Sequence, residues 1–249
     1  MGLKTFIKKN LYTLRYIQKK NKKIENKNIL VTGASSGIGL GICETLVEKN
    51  KVLAIFNNNE ENLKKINNSN LIYFKCDLSN LDNYDEIEKK ILENDIQIII
   101  NCAGQFGSSN QSIHDIDFEN FLKILRINSL SILKILQLMH KHDKIKSVKT
   151  IVNISSDGGS IELNNKGNAY IYRTTKSALN SISKNLSIDL KKKFGISVLT
   201  IDPGNVKTNM NSKGYLSPSK CSEYLIDILC DNIDHNGNFI NLLKKKIPW

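Results

Sequence analysis

The sequence predicts an α/β fold, a Rossmann-like doubly wound sheet of about seven mostly parallel strands with helices on both faces. Short apolar runs that indicate buried strands alternate with longer stretches whose apolar residues recur at helical spacing. A glycine-rich turn at 33–39 joins the first such strand to the first helix. With 249 residues, the chain is long enough to bury the core of one such domain.

The first strand, at residues 29–31, leads into the glycine-rich turn, and Ile38, Ile42 and Leu46 then recur at helical spacing. Glycines let a backbone approach a pyrophosphate closely, and a helix N-terminus offers free N–H groups and a positive dipole end. The glycine spacing is G-x-x-x-G-x-G rather than the G-x-G-x-x-G of the standard dinucleotide fingerprint. The turn therefore predicts a phosphate-binding loop, with an ordinary tight strand–helix turn as the alternative.

The remaining elements follow the same alternation. Strands are predicted at residues 51–56, 71–75, 97–100, 150–154 and 196–201, with a last short strand near the C-terminus. Helices are predicted from near Leu81, from Asp117 to about His142, from the 170s to about Lys193, and from near Ser219. In a parallel sheet the residues that follow the strands meet at one edge, so the site is expected there.

Five stretches together resemble the classical short-chain dehydrogenase/reductase family, and the resemblance covers residues 28–249. They are T-G-A-S-S-G-I-G at 32–39, N-C-A-G at 101–104, N-I-S-S at 153–156, Y-R-T-T-K at 172–176 and P-G-N-V-K-T at 203–208. Y-x-x-x-K alone is unspecific, because Tyr16 and Lys20 also match it in this lysine-rich chain. The short segment after Thr208 and the chain ending are similar to the small carbonyl-reductase branch that includes the C-factor and sniffer proteins.

The resemblance implies four catalytic residues, of which Tyr172 is the acid/base and Lys176 its activator and ribose anchor. Ser156 would polarise the substrate carbonyl. A free tyrosine titrates near 10, and an ammonium one helical turn away is expected to lower its pKa. Asn128 would widen its helix and hold a water of the proton relay, or is simply a hydrogen-bonded polar residue of the core.

The same resemblance implies a set of cofactor contacts. They are Gly33, Ser35, Ser36, Gly37, Ile38, Gly39, Asn57, Asp77, Leu78, Asn101, Ala103, Gly104, Tyr172, Lys176, Pro203, Gly204, Val206 and Thr208. Asp77 would accept a hydrogen bond from the adenine amino group, or would instead cap the helix predicted near Leu81.

Asn57 stands where an acid favours NAD and a nearby Arg accommodates NADP. It is neither, so this position leaves the cofactor open. Ser35 and nearby lysines can hold a phosphate, and we therefore expect NADP(H) to be preferred slightly over NAD(H).

Charge separates the chain into residues 1–27, a basic amphipathic extension, and residues 28–249, the single NAD(P)-binding catalytic domain. Nine Lys/Arg and one acid fall within the first 28 residues, while the whole chain has a net charge of +12. Residues 3–20 place apolar side chains on one helical face. This segment could pack on the fold or a partner subunit, make weak contact with an anionic membrane surface, or be a targeting or frayed extension.

The predicted function is NAD(P)-dependent interconversion of a small carbonyl compound and its alcohol, with a non-catalytic NAD(P)-binding regulator or assembly protein as the alternative. Because the excess charge lies in the extension, no nucleic-acid partner is expected. No metal site is expected either, since His140 and His142 are wrongly spaced for one helix face. No apolar stretch approaches the length of a bilayer helix, so we expect a cytoplasmic protein. Relatives pair through two long helices, which predicts a homodimer or homotetramer.

Overall fold

The computed structural model describes residues 24–109, 111–231 and 233–249. The amphipathic segment at 3–20 and the Tyr16–Lys20 match lie outside these residues. Within them, no helix is long and apolar enough to cross a membrane.

The core is one seven-stranded sheet in which every adjacent pair of strands is parallel. Its strands are β1 Asn28–Thr32, β2 Lys51–Phe56, β3 Leu71–Lys75, β4 Ile98–Asn101, β5 Thr150–Ile154, β6 Ser197–Asp202 and β7 Phe239–Asn241. Their order is β3-β2-β1-β4-β5-β6-β7, so the winding reverses between β1 and β4. This order confirms the predicted doubly wound fold. Such sheets bind ligands in the crevice outside the carboxyl ends of the two strands at which the winding reverses, here β1 and β4.

Seven α-helices cover the sheet in the described part of the chain. They are α1 Gly37–Leu46, α2 Glu61–Lys64, α3 Asp85–Glu93, α4 Phe118–Leu125, α5 Ser131–Lys141, α6 Tyr170–Phe194 and α7 Pro218–Leu229. A π-helical turn, Arg126–Leu130, joins α4 to α5. The helix predicted to start near Leu81 begins only at Asp85, because residues 77–84 form turns closed by backbone hydrogen bonds.

Alternate residues of each central strand point to opposite faces of the sheet, and both faces are buried. In β1, Ile29 and Val31 belong to the apolar cluster that α1 and α7 complete, whereas Leu30 belongs to the cluster formed with α3 to α6. Because both faces are covered, the carboxyl edge of the sheet is the place where polar groups collect.

A chain of buried polar side chains fixes that carboxyl edge. Thr32 Oγ1 at the end of β1 donates to Asn101 Oδ1 of β4 over 3.1 Å, and Asn101 Nδ2 donates to Asn153 Oδ1 of β5 over 3.1 Å. Asn153 Nδ2 then donates to Ser183 Oγ of α6 over 2.9 Å. Three strand ends and the long helix are thereby held in one register below the loops of the site.

Candidate active site

The glycine-rich turn packs backbone against backbone. Gly33 has φ +68°, and a Cβ there would lie 2.7 Å from Ala103 Cα. A Cβ at Gly39 would lie 2.2 Å from the Gly33 carbonyl oxygen, so neither position tolerates a side chain. Ser36, the N-cap residue of α1, makes no side-chain hydrogen bond to the described amides of its helix. The first N–H groups of α1 can therefore bind an anion.

A cleft of about 750 Å³ crosses the carboxyl edge above this turn. Its lining includes twelve of the predicted cofactor residues, namely Gly33, Ser35, Ser36, Gly37, Ile38, Gly39, Asn57, Asp77, Leu78, Ala103, Gly104 and Thr208. The glycine cradle, the uncapped helix N-terminus and the size of the cleft fit a dinucleotide.

The lining of this cleft does not include the other six predicted contacts, which are Asn101, Tyr172, Lys176, Pro203, Gly204 and Val206. The Asn101 side chain is bonded within the polar network of the sheet. Pro203 and Gly204 follow β6 directly, and Val206 is buried and bridged to Leu216 at the base of the short loop after Thr208. Their contact with a cofactor stays a prediction.

Asp77 is exposed at the cleft, and its Oδ1 accepts hydrogen bonds from the N–H of Ser79 over 2.9 Å and from its hydroxyl over 2.8 Å. The alternative role as a helix cap is wrong, because α3 begins at Asp85 and its N-cap residue is Tyr84. The second carboxylate oxygen leaves room for the predicted adenine contact.

Amide side chains surround the place expected to bind the adenosine ribose. Asn57, Asn58, Asn59 and Asn62 line the cleft beside Ser35. The Ser35 hydroxyl donates to the Asn58 carbonyl over 2.9 Å, and Asn62 Nδ2 donates to the Ser35 carbonyl over 3.2 Å. The lining residues of the described chain include no lysine or arginine and Asp77 as their only acid, so the amide-rich part of the cleft beside Ser35 is polar and uncharged.

Lys176 lies in the second turn of α6 and is buried. Its Nζ donates to the Ile154 carbonyl at the end of β5 over 2.9 Å and lies 6.0 Å from the centre of the Tyr172 ring. Burial lowers the pKa of Lys176 to about 8 from its ordinary 10.5. The lysine is therefore still mostly charged at neutral pH, close beneath the tyrosine ring.

Burial raises the pKa of Tyr172, and the charges of Asp202 and Asp157 raise it further, whereas a hydrogen bond with Ser156 lowers it. The expectation that Lys176 lowers the pKa of Tyr172 below its ordinary value is wrong. The physical reason is that desolvation of the phenolate exceeds the stabilisation by its neighbours. The phenol is thus protonated at neutral pH.

Ser156 lies at the N-terminus of the short 3₁₀ turn Asp157–Gly159. Its Oγ accepts from the Gly158 N–H over 3.0 Å, and its hydroxyl lies 3.2 Å from Asp157 Oδ1. The backbone bond fixes the oxygen, so the hydroxyl proton can swing between Asp157 and an oxygen beside Tyr172.

Asn128 lies in the π-helical turn, which confirms the predicted local widening of its helix. Its fully buried side chain accepts from the Gln105 N–H over 2.8 Å and donates to the Gln105 carbonyl and to Thr175 Oγ1, both over 2.9 Å. The side chain thereby ties the loop after β4 to α6. Its role in a proton relay stays a prediction.

Gln111 is a site residue that the sequence did not reveal. It is 4 % exposed, and its side-chain oxygen accepts from the N–H of Tyr172 over 2.9 Å. A single glutamine in a loop belongs to no motif or periodic pattern, so no signal pointed to it.

Comparison with known proteins decides the family. The model for short chain dehydrogenases matches residues 27–216. The chain belongs to the short-chain dehydrogenase family. It is therefore an NAD(P)-dependent oxidoreductase acting on CH–OH and C=O groups.

Individual relatives agree with the carbonyl-reductase-like branch. This short-chain dehydrogenase is 31% identical to an uncharacterized oxidoreductase of Staphylococcus epidermidis over 193 residues, 76% of this chain and 81% of the relative. It is 29% identical to the C-signal protein of Myxococcus xanthus, over 62% of this chain and 93% of that protein. The structure of the carbonyl reductase Sniffer of D. melanogaster superposes with a TM-score of 0.80 at 26% identity, over 90% of this chain and 100% of that one.

Replacing buried Lys176 should stabilise the protein and abolish its activity. Lys176→Met removes a buried charge at similar volume, so the free energy of unfolding at pH 7 should rise by up to roughly 3 kcal/mol while turnover is lost. The pKa of Lys176 is lower in the folded protein than in the unfolded chain. The increase in the free energy of unfolding should therefore be complete below pH 8 and disappear between about pH 8 and 10.5. Urea unfolding, monitored by circular dichroism at each pH, measures this free energy.

The matched control is Lys184→Met, which changes an exposed lysine of the same helix and should leave stability and turnover near those of the unsubstituted protein. A Lys176→Met protein that is less stable than the unsubstituted one at pH 7 would contradict this account.

Proposed function

We propose that this short-chain dehydrogenase reduces a carbonyl compound to its alcohol, or catalyses the reverse, with Tyr172 as the acid/base. The observation that supports it most is the pair formed by buried Lys176 and half-buried Tyr172 in the first two turns of α6. Lys176 places an ammonium 6.0 Å from the centre of the Tyr172 ring, and Ser156 is hydrogen-bonded to Tyr172.

A bound nicotinamide dinucleotide would lie in the glycine cradle and supply the hydride. Adding hydride to a carbonyl carbon builds negative charge on its oxygen. Ser156 donates to that oxygen and stabilises the charge. Tyr172 then transfers its phenolic proton to the same oxygen, and the charged Lys176 stabilises the phenolate that remains.

The raised pKa of Tyr172 favours the reductive direction at neutral pH, because the phenol then carries the proton that the product needs. In the oxidative direction the same group must accept a proton as phenolate, so alcohol oxidation requires a higher pH. Activity with a carbonyl is therefore expected at neutral pH, and activity with an alcohol should increase into the alkaline range.

For the cofactor, we propose a slight preference for NADP(H). The supporting observation is the uncharged, amide-rich ribose end of the cleft, where the Asn57 side chain neither repels a 2′-phosphate as an acid would nor pairs with it. Lys64 follows this region, but its Nζ pairs with Glu60 at 2.6 Å and Glu61 at 3.2 Å. Because its charge is already paired, the preference is expected to be small.

Removing one hydroxyl tests the proposed chemistry. Tyr172→Phe should bind NADPH like the unsubstituted protein but lose turnover of aldehydes, ketones and quinones by about 100-fold or more, since general acid catalysis contributes about 10²–10⁴-fold. Fluorescence titration measures binding, and NADPH oxidation at 340 nm measures turnover.

Tyr170→Phe is the matched control, because this half-exposed tyrosine starts the same helix six residues from Lys176. It should keep its turnover. Equal activity of Tyr172→Phe and the unsubstituted protein would contradict the proposed role. If both bind NADPH and neither turns over any carbonyl, the regulator alternative replaces the enzyme.

Adding a charge at Asn57 tests the cofactor assignment. Asn57→Asp should change the ratio of NADH to NADPH affinity at least tenfold towards NADH, which corresponds to about 1.4 kcal/mol, because a carboxylate accepts from the ribose hydroxyl and repels a phosphate. Asn68→Asp adds the same charge outside the cleft and should leave the ratio unchanged. An unaltered ratio in Asn57→Asp would place the ribose elsewhere.

A further inference from the structure

We infer that Gln111 is a positioning residue that holds Tyr172 in its reactive place by capping α6 from a distance. The inference rests on the proposed function, since it concerns the acid/base of that same site. The inference goes beyond the proposed function because Gln111 lies in the loop after β4, 61 residues from Tyr172 along the chain.

The start of α6 is unusual because it has no cap of its own. Ala169 is the N-cap residue and lacks a hydrogen-bonding side chain. Residues 167, 168 and 169 all have left-handed backbone conformations, with φ of 61°, 56° and 52°. An N-cap residue normally takes an extended backbone so that its side chain reaches the amides two or three residues later. The local chain therefore cannot provide the usual cap.

Gln111 supplies what this start lacks. Its Oε1 accepts from the Tyr172 N–H over 2.9 Å, at the third residue of the helix, which is the amide that a local cap would bind. Its backbone carbonyl accepts from the Tyr170 N–H over 3.4 Å. Two of the four amides that a helix start leaves unpaired are thus held by one residue.

The other end of the same side chain fixes the loop that packs on the tyrosine. Gln111 Nε2 donates to the Phe106 carbonyl over 2.7 Å and to the Ser108 carbonyl over 3.0 Å. The Phe106 ring lies against the Tyr172 ring, with centroids 5.1 Å apart and planes inclined by 30°. Gln111 therefore determines both the backbone position of Tyr172 and the aromatic wall beside its ring.

This arrangement has a consequence for the chemistry. The hydrogen bond with Ser156 is the contact that lowers the pKa of Tyr172, against burial and two carboxylates that raise it. If the first turn of α6 moves away from Ser156, that bond weakens, and the pKa of Tyr172 rises further. Loss of Gln111 should then reduce turnover and displace the pH profile, without any change in the glycine cradle that binds the cofactor.

The test compares three variants of the full chain. Gln111→Met keeps the volume and removes all side-chain hydrogen bonds, whereas Gln111→Glu keeps the acceptor for Tyr172 and removes both donors. The control is Gln97→Met, because Gln97 also accepts from a backbone amide, that of Asn28 over 2.8 Å, at the opposite edge of the sheet. Turnover, its pH profile and amide hydrogen exchange of Tyr172 are measured on each.

We expect Gln111→Met to lower kcat about 10- to 100-fold, as small misplacements of catalytic groups do, with KM for NADPH unchanged. The acid limb of its pH profile for alcohol oxidation should move to higher pH, because Tyr172 must act there as phenolate, and the Tyr172 amide should exchange faster. Gln111→Glu keeps the acceptor for the Tyr172 amide, so exchange of this amide should stay slow. Gln97→Met should lose stability only.

A Gln111→Met protein that melts earlier but keeps kcat, pH profile and slow Tyr172 exchange would overturn the inference. If the unsubstituted protein reduces no carbonyl at all, the proposed function fails, and amide exchange alone decides about Gln111. Faster exchange at Tyr172 in Gln111→Met, but not in Gln97→Met, would still support the long-range cap. Unchanged exchange would overturn it.

Discussion

The buried ammonium of Lys176 is the constraint on which the rest of the site depends. Only 4 % of the residue is exposed, and its Nζ donates to the Ile154 carbonyl at the end of β5. The fall in pKa from 10.5 to about 8 means that burial costs the folded protein roughly 3 kcal/mol at neutral pH. The ammonium reaches this place because α6 begins at the carboxyl edge of the sheet, with Tyr172 one turn before the lysine.

The neighbouring structure keeps the helix at that edge. A Cβ at Gly159 would lie 2.9 Å from backbone atoms of Lys176, so the turn after β5 packs directly on α6. The Asn153 amide bonds Ser183, two turns further along the helix. Asn128 ties Gln105 to Thr175, and Gln111 holds the first turn. The loop after β4 is thus attached to α6 twice, once beside each member of the catalytic pair.

The fold and much of the cleft could be predicted from the sequence because their causes are local. Apolar runs bounded by polar residues predicted the bounds of β2, β3 and β5 to the residue. The glycine-rich turn could be recognised because a Cβ at Gly33 or Gly39 would clash with neighbouring backbone atoms, so glycine is required there. Features set by tertiary packing could not be predicted. The pKa of Tyr172 is raised by burial, which depends on the folded structure. The start of α3 at Asp85 depends on the preceding turns, whose residues show no periodic pattern of apolar side chains. Gln111 acts across 61 residues of chain.

Titration of Lys176 tests most directly whether its ammonium is buried beside Tyr172. Carbon-13 NMR of the protein with labelled lysines, compared with Lys176→Met, identifies its signal and follows it with pH. One lysine should titrate near pH 8, and its signal should be missing from the variant. If every lysine titrates near the ordinary 10.4, the ammonium is not buried beneath Tyr172, and the proposed arrangement of the catalytic pair is wrong.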